Sequence, residues 1–401
     1  MSKRSKEMNV AFYTAFEVSP QKGGTERITC SIAKGLKEYY NVNCYSIYSE
    51  SIDSVFKRYD FVDVFHLYNS KSSFSNLKLF FEHNKIDILV IQGAFSLIKS
   101  FRKILPNHIK IIFCHHFAPG WEENFFTLRS TFNLINKKKD TSKQLFKLLF
   151  YPFLKYKKNR CLHQMYNEAY QYANKIVLLS EKFKYDFMSY GNITDDSKFI
   201  AIHNALSFDN FFDISQYYYK KHKEVLIVSR LEESQKRIYY ALKIWEKIER
   251  INILKDWKLI IIGHGEDEKS YKAYVKRHKL QRVSFEGIQQ PEPYYKRASL
   301  FMLTSKSEGW GLTLTEAQQF GCIPLAFNSY ASLSDIIIDN KNGFIIPYPQ
   351  IDVYVNTLKK IMINDKMRQE IAAQAIEDSK RFKLESICSD WYKLFLEQIK
   401  Q

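Results

Sequence analysis

The sequence predicts an α/β protein built from two doubly wound domains, each a parallel sheet covered by helices. Three observations predict this class. The chain has 401 residues, more than one ordinary hydrophobic core holds. Short β-branched, aliphatic and aromatic runs alternate with longer amphipathic segments. These alternations form two series, and a polar, tyrosine-rich stretch at 205–223 separates them.

Buried parallel strands are predicted where an apolar run is short and continuous. In the first series these runs are 10–16, 42–49, 86–92, 109–116, 175–180 and 199–204, and in the second they are 224–230, 257–263, 283–287, 300–305, 322–327 and 343–347. Helices are predicted between most of them, for example at 26–40, 236–250, 267–280, 312–320 and 351–362. The pattern places domains at 1–205 and 206–384. A last amphipathic segment, 385–401, either caps the second domain or crosses back to the first.

The composition is that of a globular protein with a strongly basic balance. Hydrophobic residues make up 45% of the chain, charged residues 26%, and the net charge is +17. Such a charge suits nucleic acid, an anionic membrane surface or phosphorylated substrates, and it also arises from lysine enrichment without a specific partner. Because no recognisable nucleic-acid-binding motif is present, we expect no nucleic-acid partner.

The cysteines and the apolar runs predict a cytoplasmic protein. The six cysteines are widely spaced and form no C-x-x-C, which argues against a zinc site or a dense disulfide framework and indicates a reducing compartment. The N-terminus has no apolar core of a signal peptide before the first strand. No run approaches the roughly 18 apolar residues of a membrane-spanning helix. We therefore expect neither a signal peptide nor a membrane span.

Candidate binding residues follow the predicted strands, because ligands of doubly wound sheets bind at the carboxyl ends of the strands. Gly23 and Gly24 precede the first helix and would let backbone N–H groups approach an anion, although a plain turn has the same composition. Arg230 and Lys236 follow strand 224–230 and suit a diphosphate, the alternative being a solvated charge run. His115 and His116 end strand 109–116 and suit a sugar hydroxyl or a developing charge.

The stretch SEGWGLTLTEAQQFG at 307–321 carries two carboxylates in an unusual setting. Glu308 follows strand 300–305 and stands beside two glycines, so exposed backbone amides surround it. Glu316 lies three residues after Thr313, which is the spacing of a helix capping box. The alternative is a nucleotide-sugar site, in which carboxylates accept ribose and sugar hydroxyls and the amides of 309–312 donate to phosphate.

Together these motifs resemble the retaining GT-B glycosyltransferases of family 4. SEGWGLTLTEAQQFG resembles the E-x7-E signature of that family, KGGTER its glycine loop, and SRLEESQKR its Arg/Lys phosphate-binding pair. HHFAPGWE resembles its acceptor-side histidine segment and IIGHGEDE its middle G-x-G loop. The order and spacing of the motifs extend over nearly the whole chain. The resemblance implies two Rossmann-like domains facing a cleft, an acceptor-binding one at 1–205 and a nucleotide-sugar-binding one at 206–384, with helix 385–401 returning to the first.

The resemblance also implies residue roles. Carried over residue by residue, it gives catalytic roles to Glu308, Arg230, Lys236 and His116, with His115 as the alternative histidine. Glu308 would contact hydroxyls of the transferred sugar, Glu316 the donor ribose, and the two cations the departing diphosphate. The other donor-binding positions that it implies are Gly23, Gly24, Gly263, Gly265, Phe285, Gly309, Trp310, Gly311 and Leu312.

The activity implied by the resemblance is transfer of a hexose with retention of configuration. The donor would be a nucleotide sugar, with UDP preferred, and the acceptor a glycan or lipid-linked glycan in bacterial surface-polysaccharide synthesis. No metal or other cofactor is expected, because side-chain cations neutralise the diphosphate and no D-x-D follows a strand. The alternatives are another GT-B enzyme, such as a sugar-nucleotide epimerase, and, more remotely, a basic nucleic-acid-binding protein.

One basic segment of the first domain is a candidate membrane contact. Residues 137–160 hold nine basic side chains and one acid, interleaved with leucines and phenylalanines. Such a segment suits the surface of an anionic leaflet, and it suits equally a surface helix with a buried apolar face. The first reading predicts peripheral association with the inner face of the plasma membrane.

Overall fold

The computed structural model describes residues 7–19, 23–50, 58–68, 70–126 and 151–400, and it divides the chain into two compact units. The first unit comprises Met1–His203 together with Ile387–Gln401, and the second comprises Asn204–Ser386. Each unit has one sheet, and all the strand pairs in both sheets are parallel. The fold class predicted from the alternating runs is therefore confirmed.

The sheet of the first unit has seven strands in the spatial order β3-β2-β1-β4-β5-β6-β7. They are β1 Asn9–Phe16, β2 Asn43–Glu50, β3 Asp63–His66, β4 Ile88–Gln92, β5 Lys110–His115, β6 Lys175–Leu178 and β7 Phe199–Ala201. Strand β4 is buried at each of its five positions, as the run at 86–92 predicted. Strand β3 was not predicted. It has four half-buried residues at the edge of the sheet, so it lacks the continuous apolar run of a central strand.

Helices cover this sheet and fill the connections between its strands. They are Gly24–Tyr40, Lys71–His83, Phe95–Ile104, Tyr151–Tyr172 and Lys184–Gly191. The last helix of the chain, Leu384–Lys400, also packs on this unit. Its Cys388 Sγ donates to the Ile32 carbonyl at 3.7 Å, and the Tyr392 ring stacks on Tyr40 at 4.4 Å. The chain therefore returns to the first unit after completing the second.

The sheet of the second unit has six strands in the order β10-β9-β8-β11-β12-β13. They are β8 His222–Val228, β9 Lys258–Ile262, β10 Val283–Gly287, β11 Ala298–Leu303, β12 Ile323–Asn328 and β13 Phe344–Pro347. The helices are Tyr217–Lys220, Ile238–Glu249, Glu268–Arg277, Glu292–Arg297, Leu312–Gln319, Leu333–Ile336, Ile351–Met362 and Asp365–Ser379. The whole of the expected linker at 205–223 thus belongs to this unit, and its last part forms a short helix and the start of β8.

The order of strands in the second sheet creates a point where the connections change direction. The chain proceeds from β8 outward through β9 to β10, and then returns to place β11 on the other side of β8. The connections that leave the carboxyl ends of β8 and β11 therefore diverge to opposite sides of the sheet. Such a switch point is where doubly wound sheets bind ligands.

The hydrophobic core of the second unit holds the loops at this switch point in place. Helix Ile238–Glu249 buries Ala241, Leu242, Trp245 and Ile248, a stripe at helical spacing that packs on the sheet. A fully buried leucine or isoleucine side chain contributes about 1.5–3 kcal/mol of transfer free energy. Across the described ranges of both units, no helix combines the length and the apolar character needed to cross a bilayer.

Candidate functional site

The candidate site lies at the switch point of the second sheet, where two loops meet. One loop leaves β8 and carries Arg230 and Lys236, and the other leaves β11 and carries Glu308. Gln235 joins them, because its side-chain amide donates to the Ser307 carbonyl at 3.1 Å while its own carbonyl accepts from the Lys306 N–H at 2.7 Å. The two loops therefore form one bonded unit at the edge of the sheet.

Lys236 and Glu308 form an ion pair at the centre of this unit. The Lys236 ammonium lies 2.6 Å from Glu308 Oε1, and the two side chains are only 14% and 12% exposed. The Thr304 hydroxyl donates to the Lys236 carbonyl at 3.0 Å and fixes the backbone beneath the pair. A partly buried, hydrogen-bonded pair of this kind is screened from solvent much less than a surface pair. The structure therefore brings together two of the predicted catalytic side chains.

Arg230 stands on the same loop but reaches into solvent. Its side chain is 68% exposed, lies 3.3 Å from Glu232, and donates to Gln235 Oε1 at 2.9 Å. Exposed pairs of this kind contribute little to stability. The guanidinium can consequently turn toward an anionic ligand without a large loss of folding free energy.

Two glycines of the G-H-G turn let the neighbouring loop approach. A Cβ on Gly263 would lie 1.9 Å from the Ser229 carbonyl oxygen, and one on Gly265 would lie 2.3 Å from that of Leu231. Gly263 also has φ +130, which side-chain-bearing residues rarely adopt. The Leu231 N–H donates to the His264 carbonyl at 3.0 Å across this contact. The turn thus supports the backbone that carries Arg230.

The glycine-rich loop from Gly309 to Leu312 leads into helix Leu312–Gln319. Gly311 is the N-cap residue of that helix and has φ +96, a conformation suited to glycine. The Gly309 carbonyl accepts a hydrogen bond from Ser332 at 2.9 Å. The Trp310 side chain is buried and packs edge-on against Phe382 at 5.3 Å. Of Trp310, only the backbone is therefore placed for contact with a ligand.

The capping-box alternative for Glu316 is wrong. A capping box requires Thr313 to be the N-cap residue, three positions before Glu316. The N-cap is instead Gly311, so Thr313 is already the second residue of the helix. Glu316 is 1% exposed, and its carboxylate accepts from the Ser207 hydroxyl at 2.6 Å and from the Tyr295 hydroxyl at 2.9 Å. The carboxylate thus joins the helix to the start of the second unit.

Phe285 lies on the edge strand β10, beside the G-H-G turn. Its half-buried ring packs against the core, and the Lys272 ammonium stands 5.7 Å from the ring centre. The next residues reach the turn directly, because the Gly263 N–H donates to the Gly287 carbonyl at 2.7 Å. The segment 283–288 and the G-H-G turn therefore form one continuous rim at the carboxyl edge of the sheet.

In the first unit, the predicted glycines stand at the start of the first helix. Gly23 is its N-cap, and Gly24 is its first residue. A Cβ on Gly23 would meet only the Glu26 side chain, at 2.8 Å from a carboxylate oxygen that can move. Contacts with the described residues therefore do not require a glycine at position 23. Residues 20–22, which precede it, lie outside the described ranges.

His116 is the better placed of the two histidines. It follows β5 directly, it is buried, and its Nε2 lies 2.5 Å from Gln92 Oε1. Burial, with a smaller contribution from His115, lowers the pKa of His116 to about 3, so its imidazole is neutral at physiological pH. Because the Gln92 carbonyl oxygen accepts, Nε2 carries the proton. Nδ1 is then the ring nitrogen that is left as an acceptor.

His115 instead packs among aromatic rings. It is the last residue of β5 and lies 5.3 to 5.7 Å, between ring centres, from Phe95, Tyr166 and Phe187. Its Nε2 stands 3.6 Å from Glu122 Oε1. This environment is that of a core residue, so the structure separates two adjacent histidines that the sequence left as alternatives.

Tyr330 is a polar residue of the site that the sequence analysis missed. Its hydroxyl is buried and makes no hydrogen bond to any residue that the structure describes, and a Cβ on Gly311 would lie 3.1 Å from its oxygen. Burial and the nearby Glu308 raise the pKa of Tyr330 well above its usual value, so the phenol is neutral and can donate. Its position just after β12 is the signal that could have revealed it.

Comparison with known sequences places a family match on the second unit. Residues 211–378 match the family described as glycosyl transferases group 1. The chain is 25% identical over 228 residues to the amylovoran biosynthesis glycosyltransferase AmsD of Erwinia amylovora, which is 56% of this chain and 62% of that protein. It is 27% identical to a poly(ribitol-phosphate) alpha-N-acetylglucosaminyltransferase of Staphylococcus aureus, over 55% of this chain and 44% of that protein. The alignments thus span roughly half the length of these relatives.

Solved structures resemble nearly the whole chain. HepE of Anabaena in complex with UDP-glucose superposes with a TM-score of 0.70 at 15% identity, covering 98% of this chain and 100% of that one. A sucrose-phosphate synthase of Thermosynechococcus elongatus superposes with a TM-score of 0.74 at 12% identity, again over 98% and 100%. At these identities the likeness shows the fold. The family match covers residues 211–378, and the structural likeness extends the shared fold to nearly the whole chain.

Proposed function

We propose that the protein is a retaining glycosyltransferase of family 4 that moves a hexose from a nucleotide sugar to a glycan or lipid-linked glycan. The observation that carries the proposal is the Lys236–Glu308 pair at the switch point of the second sheet, 2.6 Å apart and largely buried. A cation and a carboxylate at one edge supply what a sugar diphosphate requires, namely a partner for phosphate charge and an acceptor for sugar hydroxyls.

The proposed chemistry follows from the charges at this edge. The bond between the anomeric carbon and the diphosphate breaks, and negative charge develops on the leaving oxygen. Lys236, Arg230 and the backbone N–H groups at Gly311–Leu312 stabilise that charge. The acceptor oxygen bonds to the same face of the anomeric carbon, and its proton passes to the departing phosphate. Glu308 holds sugar hydroxyls, Glu316 the ribose, and His116 assists on the acceptor side.

The proposed substrates rest on similar proteins. HepE, which shares the fold, was solved with UDP-glucose, and this supports a UDP-sugar donor. The relatives act in amylovoran biosynthesis and on poly(ribitol-phosphate), which supports a surface-polysaccharide acceptor in a bacterium.

Retention of configuration and independence from metal are tested in one experiment. A product with the anomeric configuration of the donor, formed at full rate in EDTA, supports both, whereas an inverted product or loss of turnover in EDTA contradicts one of them.

A thermal-shift panel tests nucleotide binding by the second unit. At about 100 times its Kd, a ligand stabilises the folded state by about 2.7 kcal/mol, so we expect one of UDP, GDP, ADP and CMP to raise the midpoint clearly. Glu316→Ala should abolish that shift, measured against the variant's own ligand-free midpoint. Tyr295→Phe removes a hydroxyl from the same carboxylate but keeps the carboxylate, so it should retain the shift. If no nucleotide shifts the wild type, the donor site is contradicted.

We further propose that the enzyme is cytoplasmic and associates with the inner face of the plasma membrane through 137–160. Residues 137–150 lie outside the described ranges, and the remainder begins helix Tyr151–Tyr172. On that helix Phe153 and Tyr156 are 63% and 66% exposed, beside exposed Lys155 and Lys157. Exposed rings among lysines suit the interface of an anionic bilayer.

Vesicle flotation tests this association. We expect the protein to float with vesicles that contain phosphatidylglycerol at low salt and to remain behind with neutral vesicles. Phe153→Ser together with Tyr156→Ser should weaken flotation, whereas Tyr185→Ser, an equally exposed tyrosine elsewhere in the unit, should leave it unchanged. Equal recovery with neutral and anionic vesicles would contradict the proposal.

A further inference from the structure

A cavity in the second unit has no role in the proposed reaction. It measures about 520 Å³ and lies between helices Ile238–Glu249 and Glu268–Arg277. Its volume is within the range of small-molecule sites, which is about 300–1,000 Å³. The residues that carry the argument are Arg237, Tyr239, Tyr240, Lys243, Tyr274 and Arg277. The cavity is therefore large enough for a ligand and is lined by cations and aromatic rings.

Three positively charged side chains and one carboxylate line this cavity. Lys243 and Arg277 are exposed at its mouth, and within the described parts of the chain neither forms an ion pair. Deeper in the cavity, Arg237 Nε is buried and donates no hydrogen bond to any described residue. Glu233 is the carboxylate of the lining; it accepts from the Tyr239 N–H and the Tyr271 hydroxyl and interacts electrostatically with Arg237. The three cations outnumber this one carboxylate, so the lining keeps a positive balance that suits an anion.

The tyrosines shape the cavity for a puckered ring with hydroxyl groups. The Tyr239 and Tyr274 rings stand 5.6 Å apart between centres at an interplanar angle of 63°. Because the rings cross, they do not form the parallel slot that would hold a flat base on both faces. One face of the Tyr274 ring stacks on His278 at 4.0 Å and its hydroxyl donates to Glu246, so Tyr274 contributes apolar ring surface, while Ser270 adds an exposed hydroxyl. This arrangement suits a saccharide.

The cavity is separate from the Lys236–Glu308 pair, although the two sites share a loop. Lys236 reaches Glu308, whereas the next residue, Arg237, lines the cavity. The change of direction coincides with a left-handed backbone at Arg237, with φ +55, which residues other than glycine seldom adopt. The side chain of Lys236 therefore belongs to the candidate donor site, and the side chain of Arg237 belongs to the cavity.

We propose that this cavity binds a phosphorylated saccharide, with the phosphate held by Arg237, Lys243 and Arg277 and the sugar ring resting on the tyrosines. The inference goes beyond the proposed transfer reaction and does not require it, because none of its residues is assigned a part in that reaction. A phosphate accepts several charge-assisted hydrogen bonds at once, and arginine presents a fork that matches it. Because salt screens the attraction between the phosphate and the exposed cations at the mouth, binding should weaken as the salt concentration rises.

Calorimetric titration of the full chain with glucose 1-phosphate tests the proposal at low ionic strength. Lys243→Gln with Arg277→Gln should weaken binding at least about tenfold, since a hydrogen bond to a charged group contributes enough for that factor. The matched control is Lys269→Gln with Lys276→Gln, which removes two exposed charges outside the cavity from helix Glu268–Arg277, the helix that also carries Arg277. It should bind within about twofold of the wild type.

Further probes separate the parts of the ligand and the two sites. Glucose and inorganic phosphate should each bind at least about tenfold more weakly than glucose 1-phosphate, because each lacks one half of the contacts. Lys236→Ala should leave binding unchanged. Three results would overturn the proposal: equal losses in the cavity and control variants, tighter binding of UMP than of glucose 1-phosphate, or a loss of binding in Lys236→Ala alone. The last would place the probe at the donor site and leave the proposed function intact.

Discussion

Replacing Lys236 with alanine should lower kcat by about 10²- to 10³-fold, the effect of removing one preorganised donor from a developing negative charge. In the proposed reaction, the ammonium faces the leaving diphosphate, and its partner Glu308 is only 12% exposed. Because the site is largely shielded from solvent, water cannot stabilise the leaving diphosphate as well as the ammonium does. Release of the nucleotide from the donor chosen by the thermal-shift panel measures the change, with saturating acceptor.

Two further variants separate catalysis from folding. Lys236→Ala also leaves Glu308 without its cation, so some loss of stability is expected. Arg230→Ala avoids that problem because Arg230 is 68% exposed, and it should lower kcat with an unchanged free energy of unfolding. Lys247→Ala is the matched control, because it breaks an ion pair with Asp352 on an exposed face of the same unit. Wild-type turnover in both Lys236→Ala and Arg230→Ala would refute the phosphate-binding pair.

Replacing Gly263 with alanine should cost at least about 3 kcal/mol of unfolding free energy, from a backbone clash added to a disfavoured conformation. The new Cβ would lie 1.9 Å from the Ser229 carbonyl oxygen, which is backbone and cannot turn aside. Relief of that contact must move the loop that carries Arg230 and Lys236. Urea unfolding measures the cost, and the nucleotide shift should weaken in the same variant.

Gly287→Ala is the control for that prediction. Gly287 also has a positive φ, +71, and belongs to the same rim, but a Cβ there meets nothing within 4 Å. It therefore carries the penalty of a left-handed conformation, about 1–2 kcal/mol, without the clash. If Gly263→Ala proves no more destabilising than Gly287→Ala, close approach of the two loops is not the reason for a glycine at this position.

Much of the fold was predictable because its elements are encoded locally. The run IDILVIQ contains a strand buried at every position, and SIAKGLKEYY continues an amphipathic helix whose inner face is apolar. Strand β3 was not predictable in this way, since its half-buried residues at a sheet edge show neither a continuous apolar run nor a regular alternation. The rule for strand ends also predicted that Lys236 and Glu308 would lie at one edge.

Local periodicity, which acts over a few residues, was enough to predict the alternation of strands and helices. Chain length and the polar stretch at 205–223 predicted two domains, and the rule for the ends of parallel strands predicted the edge at which polar residues gather. The partners of Glu316 could be found only in the folded structure. Its contact with Ser207 joins residues 109 positions apart, whereas the capping-box spacing with Thr313 is local and was wrong.

Two pairs of neighbouring residues, His115 with His116 and Lys236 with Arg237, likewise have environments that only the folded structure reveals. His115 and His116 are chemically identical, and Lys236 and Arg237 carry the same charge, so no pattern in the chain tells the members of either pair apart. The fold does so by presenting successive side chains to different surroundings: His115 packs among rings while His116 meets Gln92, and Lys236 pairs with Glu308 while Arg237 lines the cavity. Contacts between distant segments set those surroundings.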